Sequence, residues 1–273
     1  MIKIASFNVN SINARLPRFL EWLKHSKPDI VCLQELKCLE EKFPFEVIND
    51  AGYNCAVNGQ KTYNGVAILS KFKIEDIVKT LPMLDSSQEQ DVQARYIEAV
   101  IAVPNNPFRV ASIYVPNGGG ELLENQSLEN SAKFLYKLEF FERLKLHISK
   151  LAKYDEMQFF AGDFNVAIDN IDIFDPAGFE NQILFHPLER SKMRSLINLG
   201  LIDSYRICNP KIKEFSWWDY RANCYQKNHG ARIDYILLCA KSSDKLASAN
   251  IENIGVRDQE KASDHCPVII NVC

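Results

Sequence analysis

The chain opens on alternating positions, Ile2-Lys3-Ile4-Ala5-Ser6-Phe7, which predict a strand over residues 2–7. Leu16, Phe19, Leu20 and Leu23 then recur at helical spacing, so residues 13–26 read as a helix with Asn13 as its N-cap. Pro28-Asp29 breaks that pattern, and residues 30–33 read as a short buried strand, which opens an α/β arrangement. Residues 65–69, 74–80, 96–103 and 108–115 predict four consecutive strands, the last two joined by the turn Pro104-Asn105-Asn106-Pro107. Such neighbours pair antiparallel, so the sheets are expected to be mixed. The longest helical pattern is 127–153, with Phe134, Leu138, Phe141, Leu144, Leu146 and Ile148. A strand over 157–161 runs directly into Gly-Asp-Phe-Asn, and 189–198 reads as a helix with Gly200 just past its end. Strands over 215–220, 233–238, 251–254 and 268–272 complete the pattern, with 85–93 and 241–250 as polar loops. No repeat or linker interrupts it, so residues 1–273 are expected to form one domain of two packed sheets with helices outside.

Composition narrows the class. A chain of 273 residues that is 47% hydrophobic and 25% charged is globular rather than disordered. Its net charge of −3 supplies no overall positive field, so a nucleic-acid binder would need a local basic face. The eight cysteines show neither a C-x-x-C pair nor metal-finger spacing, and several lie inside apolar runs. Free thiols in a reducing cytoplasm are therefore expected. The N-terminus lacks the pattern of a secretory signal, and no stretch approaches the ~18 apolar residues of a membrane span.

Five polar sites stand at the ends of apolar strands: Asn8, Glu35, the pair Asp163 and Asn165, Asp234, and Asp264-His265. Strand ends hold side chains rigidly, as a site that positions a metal and a nucleophile requires. Carboxylates and amides are hard oxygen ligands, which favour Mg²⁺ or Mn²⁺ over zinc. Asp163 and Asn165 are two apart, so on a strand they share a face. The carboxylate can align or deprotonate water, while the neutral amide can donate to a phosphate without repelling it. Further on, Trp217, Trp218, Tyr220 and Arg221 form an aromatic–basic cluster that could line a pocket for a flipped-out sugar or stack on bases. One of the two tryptophans is expected in the core, since adjacent strand residues face opposite sides. Between Arg206 and Lys241, seven Lys or Arg stand against three Asp or Glu, a local excess of four positive charges that suggests a phosphate-binding face.

These segments resemble the exonuclease III family of AP endonucleases, within the endonuclease/exonuclease/phosphatase superfamily. The matching stretches are S-F-N-V-N-S-I-N-A-R (6–15), L-Q-E-L-K (33–37), Y-N-G-V-A-I-L-S (63–70), Y-V-P-N-G (114–118), G-D-F-N-V-A (162–167), F-S-W-W-D-Y-R (215–221), A-R-I-D-Y-I-L (231–237) and S-D-H-C-P-V (263–268). They cover essentially the whole chain in family order. The resemblance implies a four-layer α/β sandwich with two mixed sheets flanked by helices. It also implies a Mg²⁺-dependent enzyme, with Mn²⁺ as the alternative ion, that cuts double-stranded DNA 5′ to abasic sites and trims or cleans blocked 3′ ends. A monomeric cytoplasmic enzyme that meets the nucleoid while acting on DNA is expected. The nearest alternative is a superfamily relative acting on a non-DNA phosphoester.

Residue by residue, the resemblance assigns Glu35 to the metal and Asn8 to the metal or to the orientation of its ligands. Asp163, Asn165 and Asp264 are the other expected metal neighbours, with Asp264 also a candidate for aligning the catalytic groups. His265 matches the histidine on the scissile phosphate, and Asp234 its orienting partner. Tyr114 is expected to protonate the departing 3′ oxygen or bond the phosphate, and Asn117 to contact the DNA backbone. The family mechanism leaves open whether an aspartate or the histidine activates water. Trp217 and Ile233 match pocket positions. Two positions depart from some relatives. Asn10 stands where they carry an acid, which implies weaker metal binding. Ala231 stands where they carry tryptophan, which implies a wider pocket and relaxed abasic selectivity. No site role is expected for His25, His147, His186 or His229.

Overall fold

The computed structural model describes residues 1–85, 87, 89–104, 106–120, 127–253 and 256–273. Ser86 and Gln88 of the expected polar loop, Asn105 of the expected hairpin turn and Ile254 of an expected strand lie outside the described residues. The first sheet contains β1 (Ile2–Asn8), β2 (Ile30–Gln34), β3 (Asn54–Asn58), β4 (Val66–Ser70), β11 (Leu246–Ile251) and β12 (Val268–Val272). The second contains β5 (Ile74–Val78), β6 (Tyr96–Ile101), β7 (Phe108–Tyr114), β8 (Met157–Asp163), β9 (Ile202–Asp203) and β10 (Asp234–Leu238). Their strand orders are β11-β12-β1-β2-β4-β3 and β5-β6-β7-β8-β10-β9. Each sheet has one parallel pair at its centre, β1 with β2 and β7 with β8, and the other pairs are antiparallel.

The sheets pack face to face, with β1 across from β8 and β2 across from β7. Ile4, Ile30, Cys32, Ile68, Val110, Phe159 and Ile236 fill the space between them. The outer face of the first sheet is covered by α1 (Ile12–Ser26) through Phe19, Trp22 and Leu23, with Ile48 of α2 (Phe45–Asp50) beside them. Phe140, Phe141, Leu144 and Ile148 of α3 (Ala132–Leu151) cover the outer face of the second, with Met193 and Leu196 of α4 (Pro187–Ile197). This is the four-layer sandwich that the resemblance implied.

Period-two alternation decides what enters the space between the sheets. Met157, Phe159 and Ala161 of β8 face inward, so Asp163 does too; Ile4 and Asn8 of β1 share a face in the same way. Because β1, β2, β7 and β8 all end at the same edge of the sandwich, their last residues converge there. Gly162 belongs to this convergence: a Cβ on it would lie 1.9 Å from the Ile113 carbonyl oxygen, so only glycine lets β8 lie against β7 before Asp163.

Several local expectations change. Residues 215–220 form no ladder strand. Trp217 instead makes isolated bridges to Ala231 and His265, knitting two loops together. The stretch expected as a loop over 241–250 holds α6 (Ala240–Ser243) and β11, an edge strand whose small and polar residues hide its period. Beyond it, the strand expected over 251–254 begins earlier and ends at Ile251. β3, α2, β9 and the short helix α5 (Ser204–Cys208) were not legible as elements. At the start of α1 the cap position is Ser11, and Asn13 instead donates its side-chain amide to the Lys42 carbonyl at 3.2 Å.

Candidate active site

The chain bends sharply just after β2. Glu35 and Lys37 have φ values of 55° and 53°, a left-handed conformation that costs roughly 1–2 kcal/mol for a residue with a side chain. Backbone hydrogen bonds hold the bend: Ser11 donates to the Glu35 carbonyl at 2.7 Å, Leu36 to Gly65 at 3.1 Å and Lys37 to Asn64 at 2.9 Å. The Glu35 carboxylate thereby turns toward the end of β8. Its ligand oxygen, one of Asp163 and one ring nitrogen of His265 lie within 4.8 Å of one another.

Asn8 organises this cluster from the end of β1. Its amide nitrogen donates to Glu35 Oε1 at 2.9 Å and to Asp163 Oδ2 at 3.0 Å, while its oxygen accepts from the Asn10 backbone at 3.0 Å. Beneath it, Gln34 donates to Ser112 Oγ at 2.9 Å, so a polar layer separates the carboxylates from the apolar core. Tyr114, which pairs in register with Asp163, donates its phenol to Glu35 Oε1 at 3.0 Å. Burial, with Glu35 and Asp163 adding to it, keeps that phenol protonated well above its ordinary range.

Across β10, Asp234 stands in register with Asp163. His265 donates from Nδ1 to Asp234 Oδ2 at 2.8 Å and turns Nε2 toward Asp163 Oδ2, 3.7 Å away. Burial alone would favour the neutral ring, but Asp234 and Asp163 outweigh it and push the His265 pKa up to about 10. Burial also pushes the Asp163 carboxyl up to about 8, with Asp234 and Glu35 adding to the effect and His265 opposing it. The Glu35 carboxyl responds the other way. Burial would raise it, but Lys37, His265 and Asn8 hold it below its usual value.

The Asn165 side chain reaches the site by a different route from the shared strand face expected. β8 ends at Asp163, and Asn165 lies beyond it with φ 52°, its backbone N–H donating to Asp163 Oδ1 at 2.9 Å. Its amide nitrogen donates to the Val115 carbonyl at 2.9 Å, and its oxygen accepts from Asn117 at 3.2 Å. Asp264 stands at the margin: its two oxygens accept from Asn10 at 2.8 Å and from the Trp217 indole at 3.1 Å.

Trp217 is the half-buried tryptophan that faces the site, with its ring 6.5 Å from that of His265, and Trp218 is the core one. Ile233 is buried in a small apolar cluster with Ile173, Leu184, Phe185 and Ala231, and Trp217 packs against its edge. Ala231 is 2% exposed, so its Cβ meets neighbours and not the widened pocket expected. Arg221 points outward, 88% exposed and paired with Asp219 at 2.6 Å.

Of the seven basic residues counted from Arg206 to Lys241, four pair with acids within the fold: Arg206, Arg221, Arg232 and Lys241. Arg232 is buried between Asp172 at 2.9 Å and Asp203 at 2.8 Å; Arg206 also pairs with Asp172, and Lys241 with Asp155 at 2.7 Å. Those aspartates lie outside the stretch in which the charges were counted. Three site neighbours had not been singled out. Lys37 pairs with Glu35 at 2.7 Å and donates to Asn10 Oδ1 at 2.5 Å, and Ser216 donates to Asp234 Oδ2 at 2.6 Å. Both sit inside matched motifs, whereas Arg95, whose guanidinium lies 4.9 Å over the Tyr114 ring, had no comparable signal. Of the four histidines expected to have no role here, His147 bonds Glu98, His186 caps α4 and His229 stacks on Phe174.

Known proteins are similar to this chain over nearly its whole length. The family described as Endonuclease/Exonuclease/phosphatase matches residues 5–265. Exodeoxyribonuclease III of Haemophilus influenzae is 32% identical over 276 residues, covering 98% of each chain. Among solved structures, a 3′ phosphatase from Neisseria bound to a product DNA hairpin superposes with a TM-score of 0.90 at 33% identity, over 100% of both chains. An AP endonuclease from Archaeoglobus fulgidus gives 0.88 at 33% identity, over 100% of this chain and 99% of the other. With its sandwich, its strand-end carboxylates and these relatives in agreement, the chain belongs to the endonuclease/exonuclease/phosphatase family, in its exodeoxyribonuclease III branch.

Proposed function

We propose that this protein is a divalent-metal-dependent DNA phosphodiesterase of base-excision repair, incising 5′ to abasic sites and cleaning 3′ ends with 3′→5′ exonuclease activity. The observation that carries the reading is the meeting of Glu35, Asp163 and His265 within 4.8 Å, with Asp234 behind the histidine. The donor chemistry fits a hard cation. Glu35 and the buried Asp163 face each other, and a bound cation would favour the ionised form of Asp163 that burial opposes, with Asp234 and Glu35 adding to that burial effect. Glu35 and Asp163 would hold Mg²⁺, or Mn²⁺, with Asn8 fixing both carboxylates and Asp264 on the far side of Asn10. The ion supplies neutralisation of phosphate charge.

The chain's own groups do the rest. His265, kept cationic by Asp234, donates to a phosphate oxygen. Asn165 spends one amide N–H on Val115 and has the second for the phosphate. Asp163 aligns the attacking water. Tyr114 offers its phenolic proton toward the leaving oxygen. Asn117, Trp217 and the outward Arg221 bound the DNA-binding surface, with the buried Ile233 packed in the cluster behind Trp217, and a groove of about 350 Å³ lined by Lys37, Tyr63, Arg95 and Asn117 continues the surface. Because both sheets contribute to the site, residues 1–273 act as one catalytic unit. The eight free cysteines fit a reducing cytoplasm. Among the described residues no helix is long and apolar enough to cross a membrane.

Single-turnover cleavage of abasic duplex, 3′-phosphate duplex and undamaged duplex, each with Mg²⁺, Mn²⁺ or chelator, tests the reading. Asp163→Ala, Asn165→Ala and His265→Ala should each lower the rate by on the order of 10²-fold or more, with DNA affinity little changed. Near wild-type rates in folded Asp163→Ala or His265→Ala protein would remove the assigned site. Equal, metal-independent turnover of all three duplexes would remove the activity.

A further inference from the structure

A lysine that no catalytic scheme above uses is sealed beneath the groove. Lys137, on α3, and Glu189, in the first turn of α4, both have fully buried side chains. The Lys137 ammonium donates to the Asn165 carbonyl at 2.8 Å, the Asn117 carbonyl at 3.0 Å and Glu189 Oε1 at 2.9 Å. An ammonium has three donors, and all three are used. Two of its acceptors are main-chain oxygens of the loops that carry Asn117 and Asn165. Above the ammonium the same loops are joined by the Asn117–Asn165 side-chain bond and by the bond from Asn165 to the Val115 carbonyl.

The loop after β7 is shaped to this stem. Gly118 has φ +83°, and a Cβ there would lie 2.8 Å from Lys137 Cδ. Without the ammonium, the buried Asn165 carbonyl and the Asn117 carbonyl on the neighbouring loop would lose their shared donor. Buried acceptors without partners are costly, so the loops would part to reach water. Asn165 would be the first to move, because its left-handed backbone is held at its carbonyl by Lys137 and at its N–H by Asp163. An arginine is a poor substitute, since a planar fork does not present three donors in this arrangement.

We propose that Lys137 is a positioning residue, clamping the two loops together from below and thereby aiming the Asn165 amide at the scissile phosphate. This rests on the role given to Asn165 above, so the test separates the two. Removing Lys137 alone would leave Glu189 buried and unpaired, so the key variant is Lys137→Met with Glu189→Leu. Replacing a whole buried ion pair by apolar side chains is generally tolerated by the fold. Thermal melts establish that it is folded. Single-turnover cleavage and equilibrium binding are then measured on whichever DNA substrate the wild type cleaves fastest.

The expected result is a rate loss on the order of 10²-fold, the scale for misplacing a catalytic group by about an ångström, with DNA affinity within about threefold of wild type. Added to Asn165→Ala, the same pair should slow cleavage by no more than about twofold, because it acts through a group already gone. A folded Lys137→Met, Glu189→Leu protein with the wild-type rate overturns the proposal. So does a full, multiplicative loss in the Asn165→Ala background, which would make Lys137 a general support. If Asn165→Ala alone cleaves at the wild-type rate, the reading of the active site falls, and the role of Lys137 with it.

Discussion

At the scale of single residues, the site depends on backbone conformations that few side chains accept. Glu35, Lys37 and Asn165 all have positive φ, and all lie within three residues of a strand end. Asparagine tolerates this region, while glutamate and lysine do so only when surrounding hydrogen bonds enforce it. Strain in the 34–37 bend therefore points to a functional constraint on where the Glu35 carboxylate sits. Glu35→Ala should raise the Mg²⁺ concentration needed for half-maximal cleavage by on the order of 10²-fold, since one charged oxygen ligand is lost. Calorimetric Mg²⁺ binding checks this without reference to activity, and an unchanged titration would remove Glu35 from the ion site. The sequence marked Glu35 by its place after an apolar strand. It could not show that Asn8, far away along the chain, bridges Glu35 to Asp163, because that bridge exists only once the sheets are stacked.

At the scale of elements, α3 shows how a helical stripe can be misread. Leu138 and Leu146, expected on the apolar face, are only half buried, whereas Lys137 and Arg143 are buried beside Phe134, Phe140, Phe141 and Leu144. Charged residues on an apolar stripe were the visible sign that this helix buries specific partners. The second sheet holds a comparable group. Glu98 on β6 accepts from Tyr96, from Arg109 at 2.8 Å and from His147 of α3 at 2.8 Å. Burial would raise its carboxyl, but His147, Tyr96 and Arg109 hold it below the ordinary 4.5. Because the folded value lies below the unfolded one, the carboxylate's contribution is complete above about pH 4.5 and is lost as pH falls through the folded value. Glu98→Gln should therefore cost on the order of 1–3 kcal/mol at neutral pH, and the gap to wild type should narrow under acid. Urea unfolding at pH 7 and pH 3 measures it, and a gap that stays constant would mean the charge contributes nothing.

At the scale of the whole molecule, a net charge of −3 leaves DNA attraction to local cations. Pairing has already used several of those that the sequence offered, Arg206, Arg232 and Lys241 among them. Arg95 differs: it bonds Gln93 and lies over Tyr114 at the edge of the groove. If the groove carries the DNA backbone, Arg95→Ala should lower the slope of log affinity against log salt by about one phosphate contact, while Lys241→Ala leaves it unchanged. Equilibrium binding across a salt series decides this. Equal effects from both variants would return the contact surface to the stretch between Arg206 and Lys241.

What the sequence determined by itself is the order of the main elements, the mixed sheets and the short list of strand-end groups. Those follow from periodicity and from motifs confined to a few neighbouring residues, and both survive without knowledge of contacts. Edge strand β11 escaped because small, half-exposed residues carry no period, and residues 215–220 misled because aromatic content there serves loop bridges instead of a ladder. Which charges remain open to a ligand was a tertiary decision. Asp172 and Asp203 reach Arg232 only after the chain has folded, and no count along the sequence can subtract them. The site itself was decided the same way. Two parallel strand pairs end at one edge of a double sheet, and the packing of one sheet on the other brings Glu35 and Asp163 close enough to share a cation.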